Sequence, residues 1–192
     1  MKYLIVGLGN PTAEYHGTRH NVGFRMLNHF AEHIGATFTD ERYGAVAAGR
    51  IKNKEVVLLK PSTFMNLSGN AVRYWLQQLK ETPDHLLVLV DELIFDFGTL
   101  RLKAAGSHGG HNGLRHIAET IGTQEYARLR FGIGNNFPRG RQIEYVLSPF
   151  TPQELALMPE VLERSTAVIT DFCLSGVQHA MTAFNTKAKP QV

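Results

Sequence analysis

The chain has 192 residues, 43% of them apolar, which suits one sizeable core and argues against two independent domains. Its longest interior apolar run, Leu86 to Val90, falls far short of the roughly 20 residues of a membrane span, and Leu4-Ile5-Val6 is too short for a signal peptide, so a cytoplasmic protein without membrane contact is expected. A lone Cys173 excludes an internal disulfide and a polythiolate metal site, and the net charge of +3 is only a weak pointer to a polyanionic partner.

Tyr3 to Val6 reads as a buried strand, followed by a polar loop from Gly7 to about Asn21 that is long for a compact domain and therefore a candidate for function. Phe24, Leu27, Phe30, Ala31 and Ile34 recur at helical spacing, which predicts an amphipathic helix over Val22 to Ile34. Tyr43 to Ile51 and Glu55 to Leu59 read as strands joined by the polar turn Lys52-Asn53-Lys54. Ser68 is placed to cap a helix whose apolar positions Val72, Trp75, Leu76 and Leu79 share a face. His85 to Val90 and Gly98 to Lys103 follow as strands, then a Gly-rich loop to Gly113, a short helix from Leu114 to Ile121 and a strand from Ala127 to Ile133. Thr151-Pro152-Gln153-Glu154 is a helix start with a capping box, and helical patterning continues to about Ala183 with a break expected at Pro159. The alternation predicts an α/β fold: a single domain over 1–186, a twisted mixed β-sheet flanked by helices, with 187–192 as a flexible tail.

Charge is uneven along this frame. Between Arg101 and Arg141 seven basic residues stand against two acids, Glu119 and Glu125. Leu100 and Leu102 alternate with Arg101 and Lys103, and Leu129 and Phe131 with Arg128 and Arg130, so two strands each present a basic pair on one face. A solvated basic surface is the plain reading, but such pairs also suit phosphates.

Several motifs are weighed and set aside. Gly7-Leu8-Gly9 suggests a dinucleotide loop, but Thr12 stands where the third glycine belongs and no acid closes a second strand. His16 and His20, His29 and His33, and His108 and His111 have local spacings that could chelate, yet no third ligand is evident; no metal is expected, and His29 and His33 read as solvent-facing. Ala105-Gly106-Ser107-His108-Gly109 approximates the nucleophile elbow of a serine esterase, with Asp171 and His179 following in order, but its first glycine is missing and more loop follows Ser107. What remains is a set of polar residues in loops after strands, Asn10, His20, Asn66, Asp91 and Asn112, where ligands of α/β sheets collect. A His paired with Asp91 at the end of its apolar strand would make a general base.

Whole segments also carry a resemblance. Gly7-Leu8-Gly9-Asn10-Pro11 with Tyr15 and Thr18-Arg19-His20-Asn21, Lys60-Pro61-Ser62-Thr63-Phe64-Met65-Asn66 with Ser68-Gly69, Asp91-Glu92-Leu93, Gly109-Gly110-His111-Asn112-Gly113-Leu114, and Arg128-Leu129-Arg130 before Gly132-Ile133-Gly134 occur in order over nearly the full chain. Together they resemble bacterial-type peptidyl-tRNA hydrolase. The resemblance implies a cytoplasmic, monomeric, cofactor-free enzyme that hydrolyses the ester between a peptide and the 3′ end of tRNA. It implies His20 as general base and Asp91 as its orienting partner, with Asn10, Asn66 and Asn112 holding the ester and the water. Met65 would line the peptide groove and Tyr15 its edge, while Lys103 and Arg130 would clamp a tRNA phosphate, Arg128 remaining open as the second contact. The rival readings are a non-catalytic RNA-binding protein of the same fold and a serine esterase using Ser107. Two departures stand out: Thr12 replaces the glycine usual after Pro11, and Ile94-Phe95-Asp96-Phe97 replaces an Asp-Leu-Pro-like segment.

Overall fold

The computed structural model describes residues 1–185, so the expected tail at 187–192 lies outside the described residues. In chain order the elements are β1 (Lys2–Gly7), 3-10 turns at Ala13–Tyr15 and Arg19–Asn21, α1 (Val22–Ile34), β2 (Thr39–Glu41), β3 (Gly44–Ile51) and β4 (Lys54–Pro61). There follow a 3-10 turn at Met65–Leu67, α2 (Ser68–Leu79), a further turn at Pro83–His85, β5 (Leu86–Glu92), β6 (Leu100–Lys103), α3 (Asn112–Ile121), β7 (Ala127–Gly132), α4 (Gln142–Val146), α5 (Pro152–Ser175) and α6 (Val177–Phe184). The strands form one mixed sheet in the order β2-β3-β4-β1-β5-β7-β6. Its centre, β4, β1, β5 and β7, is parallel, and antiparallel strands flank it on both sides.

The parallel centre explains why β5 reads as an unbroken apolar run: helices cover both of its faces. Leu86, Val88 and Val90 pack with residues of α2 and α3, while Leu87 and Leu89 pack with α1, α5 and α6. The elements missing from the sequence reading are those without periodicity. β2 is three exposed polar residues, and α4 is five residues, too short to show a helical stripe.

Two expectations are corrected. Ser68 does not cap α2 but is its first residue, and its hydroxyl donates to the Met65 carbonyl at 2.7 Å, bracing the preceding turn. Pro159 does not break α5, which runs unbroken from Pro152 to Ser175. The proline removes one hydrogen bond, to the carbonyl of Leu155, a partly exposed residue. Burial of Met158, Val161, Ile169 and Phe172 holds the helix through that defect. The interruption falls at Gly176, whose φ of 91° and ψ of 165° suit glycine alone. The capping box at Thr151 and Glu154 forms as expected.

One close approach positions the site. A Cβ on Gly23, near the start of α1, would lie 2.4 Å from the Leu89 carbonyl oxygen and 2.6 Å from the Leu8 nitrogen. Only glycine lets α1 begin directly on β1 and β5. The 3-10 turn just before α1, which carries His20, therefore lands against the end of β5, which carries Asp91.

Candidate active site

β1 has β4 on one side and β5 on the other, so the chain segments leaving these parallel strands part at their carboxyl ends. A cleft of about 890 Å³ opens there. It gathers all seven residues expected to act on or bind substrate: His20 and Asp91, with Asn10, Tyr15, Met65, Asn66 and Asn112.

His20 Nδ1 and Asp91 Oδ2 are 2.8 Å apart, and the carboxylate is buried while the imidazole is partly open to the cleft. The other carboxylate oxygen, Oδ1, meets His111 Nε2 at 2.8 Å. The proton positions follow from this geometry. His111 is the N-cap of α3, and its Nδ1 accepts from the backbone N–H groups of Gly113 and Leu114 at 3.2 and 3.4 Å. Its proton therefore sits on Nε2 and is donated to Asp91. His20 likewise donates from Nδ1, which leaves its Nε2 lone pair facing the cleft. Burial alone would push Asp91 up, but the two imidazoles facing it outweigh that and hold the carboxyl well below its usual range. Burial pushes His20 down, and the charge of Asp91 with its hydrogen bond overcomes this, leaving His20 raised above its ordinary value.

His111 was not singled out as a site residue in the sequence. The local spacings that suggested chelation pair the wrong histidines: His20 and His111, from different pairs, are the two that meet. With Asp91 they form a group whose potential metal-ligand atoms all lie within 4.8 Å of one another. An ion there would have to displace both bridging protons. His29 is also not simply solvent-facing, since its Nε2 meets Glu163 at 2.7 Å.

The amides are prepared unequally. Asn10 Oδ1 accepts from the Met65 N–H at 2.8 Å, tying the β1 loop to the turn after β4. Asn21, which carried no assigned role, locks the Asn10 backbone by accepting from its N–H and donating to its carbonyl, both at 2.9 Å. Asn66 and Asn112 are exposed and make no side-chain hydrogen bond within the described residues, so both amides face the cleft unengaged. Met65 is buried against Gly113, where a Cβ would come within 2.8 Å of its sulfur, so a side chain there would collide with Met65.

The basic face forms as expected outside the cleft lining. β6 and β7 pair Arg101 with Arg130 and Lys103 with Arg128, all on one face, so Lys103 and Arg130 are diagonal neighbours. Arg128 is 1% exposed, and its guanidinium donates to the carbonyls of Gly106, Gln124, Tyr126 and Ser107 at 2.8 to 3.4 Å. It is a strut for the loop ahead of α3 and is not available to a phosphate. Arg130 is partly exposed, 3.3 Å from Glu92 and stacked over Phe95. The departures from the family pattern thus have structural places. Phe95 supports Arg130, Phe97 is buried beside Phe131 and Phe150, and Ile94 stands at the cleft rim. Thr12 has an extended backbone, φ −82°, that does not call for glycine.

The serine-esterase reading fails on placement. Asp171 and His179 do bond, at 2.7 Å, but on α5 and α6. Ser107 lies in the loop leading to α3, and α3 and the α5–α6 pair cover opposite faces of the sheet.

A single α/β domain with a histidine–carboxylate pair at the carboxyl ends of its parallel strands, and no serine among the described residues lining its cleft, has the form of a hydrolase site suited to general-base chemistry. The profile of the peptidyl-tRNA hydrolase family matches residues 4–191. Peptidyl-tRNA hydrolases from Parabacteroides distasonis and Porphyromonas gingivalis are 61% and 57% identical to the chain, covering 97% and 96% of it and the whole of each relative. The crystal structure of peptidyl-tRNA hydrolase from Acinetobacter baumannii superposes with a TM-score of 0.92 at 37% identity, over 98% of this chain and 96% of that one. The chain belongs to the peptidyl-tRNA hydrolase family, and with it to the carboxylic ester hydrolases.

Proposed function

We propose that the cleft hydrolyses the ester between a peptide's C-terminal carboxyl and the 3′-terminal ribose of tRNA, with water activated by His20 and with Asp91 fixing the imidazole tautomer. One observation carries the reading: the 2.8 Å bond from His20 Nδ1 to Asp91 at the cleft floor, which leaves Nε2 free to take a proton. Water gives that proton to Nε2 as its oxygen attacks the ester carbonyl carbon. The tetrahedral intermediate then collapses, the C–O bond to the ribose breaks, and the imidazolium returns the proton to the departing oxygen. An ester has a good enough leaving group that no covalent enzyme intermediate is needed.

The amides of Asn10, Asn66 and Asn112 donate to the developing oxyanion and to peptide carbonyls, which recognises the backbone without demanding one side chain. Met65 and Tyr15 bound the peptide. Lys103 and Arg130, outside the cleft, take a phosphate of the tRNA acceptor end. The enzyme acts as a monomer in the cytoplasm, as its family resemblance implies; separately, no described helix is long and apolar enough to cross a membrane. His20→Ala is expected to lower turnover of peptidyl-tRNA by roughly 10²–10⁴ with tRNA affinity retained. Full activity in that folded variant would remove His20 from the mechanism.

A further inference from the structure

We infer that the rim of this cleft selects substrate by the side chain next to the ester, favouring peptidyl-tRNAs whose last residue is large and apolar over those ending in an acid. The inference rests on the cleft being the peptidyl-ester site proposed above.

Large apolar side chains left in water are the starting observation. Scattered singly they are ordinary, but converging on one concavity they mark a contact surface. Seven such residues stand out among those described, and five of them, Phe64, Leu67, Ile94, Ile143 and Leu147, line the cleft. They come from three separate segments: the turn after β4, the loop after β5, and α4 with the residue that ends it. Ile94 is 70% exposed and Ile143 76%, so neither contributes much to the core. Their apolar surface is available to a ligand.

Charge narrows the occupant. Among the described residues no lysine or arginine lines the cleft, which is therefore not built around the phosphate backbone of a nucleic acid. Its carboxylates are Asp91, bonded to two histidines, and Glu92, paired with Arg130. An acidic side chain beside the ester would therefore find no described lysine or arginine in the lining to replace its lost water and would stand near the Asp91 and Glu92 carboxylates. An aliphatic or aromatic one would leave water for the apolar rim. The polar floor reads the peptide backbone and the rim grades the side chain.

The test uses the full chain and one tRNA body acylated in turn with N-acetyl-Leu, N-acetyl-Phe, N-acetyl-Ser and N-acetyl-Asp. Nucleic-acid contacts then stay constant, and each rate is divided by that of alkaline hydrolysis of the same ester. The leucyl and phenylalanyl esters are expected to exceed the aspartyl ester in kcat/KM by about tenfold or more, chiefly through KM. Ile94→Ser and Ile143→Ser, each at a largely exposed position, remove apolar rim surface without adding charge and should cost the two apolar substrates about five- to tenfold and the aspartyl ester less. A flat profile in the unmodified enzyme, or equal losses on all four substrates in both variants, overturns the inference while the site itself stands. Hydrolysis of none of the four overturns it together with the reading on which it rests.

Discussion

The protonation of His20 is set by two neighbours with opposite tendencies. Burial disfavours its cation, Asp91 favours it, and the carboxylate prevails. His111, the other titratable group facing the pair, has its ring centroid 5.2 Å from that of His20, and its Nδ1 accepts backbone N–H groups at the start of α3. A base works only when unprotonated, so kcat/KM should fall as pH drops through a value above the ordinary imidazole pKa of about 6.5. Asp91→Asn removes the group that raises His20 and leaves the burial that lowers it. The acidic limb of the profile is then expected to move to lower pH, while the plateau falls by about tenfold or more because the tautomer is no longer fixed. A limb that stays in place would mean that another group controls it, and a pH–rate profile of both proteins decides this. At this scale the sequence pointed to His20 and Asp91 through the segments around them, and the two side chains meet although 71 positions separate them. It concealed His111 and Asn21, because their roles are hydrogen bonds to backbone groups that exist only once α3 and the β1 loop are in place.

Among the elements, the β6–β7 pair shows how far alternation carries an argument. Periodicity placed four cations on one face, but it could not distinguish a cation held by the protein from one left for a ligand. Burial makes that distinction: Arg128 gathers four carbonyls beneath the loop that delivers His111 and Asn112, whereas Arg130 is partly open and Lys103 has no ion pair among the described residues. Arg128→Met should destabilise the fold by about 2–4 kcal/mol, because it leaves buried carbonyls unpaired, and should leave the salt dependence of tRNA binding unchanged. Arg130→Met should do the opposite, weakening binding and reducing the slope of log K against log salt by about 1 for a lost phosphate contact, with little change in stability. Denaturant titration and binding at several salt concentrations separate the two residues. A reduced slope in a stable Arg128→Met protein would reverse the assignment.

For the whole molecule, the sheet and the long helices were legible because a two-sided sheet and amphipathic helices impose periods of two and 3.6 on the chain. Local signals failed where packing competed with them, as at Pro159, which the core interactions of α5 override, and at Gly176, where the helix ends. That long helix also carries a probe of whether the domain opens as one unit. Cys173 is 1% exposed, packed in the core shared by α1, α5 and the sheet, and burial pushes its thiol up to about 12. The thiolate is the reactive form, so at pH 8 the folded protein offers almost none of it and no path to it, whereas an unfolded chain, with a thiol pKa of about 8.5, offers a substantial fraction. An aromatic disulfide reagent should therefore label the native protein at least about a thousandfold more slowly than the protein in concentrated urea. If α5 opens only with the whole domain, the logarithm of the native labelling rate should rise with added urea along the slope of global unfolding. A shallower slope, or rapid stoichiometric labelling without denaturant, would mean that α5 detaches from a sheet that stays folded. The active-site cleft, whose α4 wall leads directly into α5, would then be framed on one side by a separately mobile element.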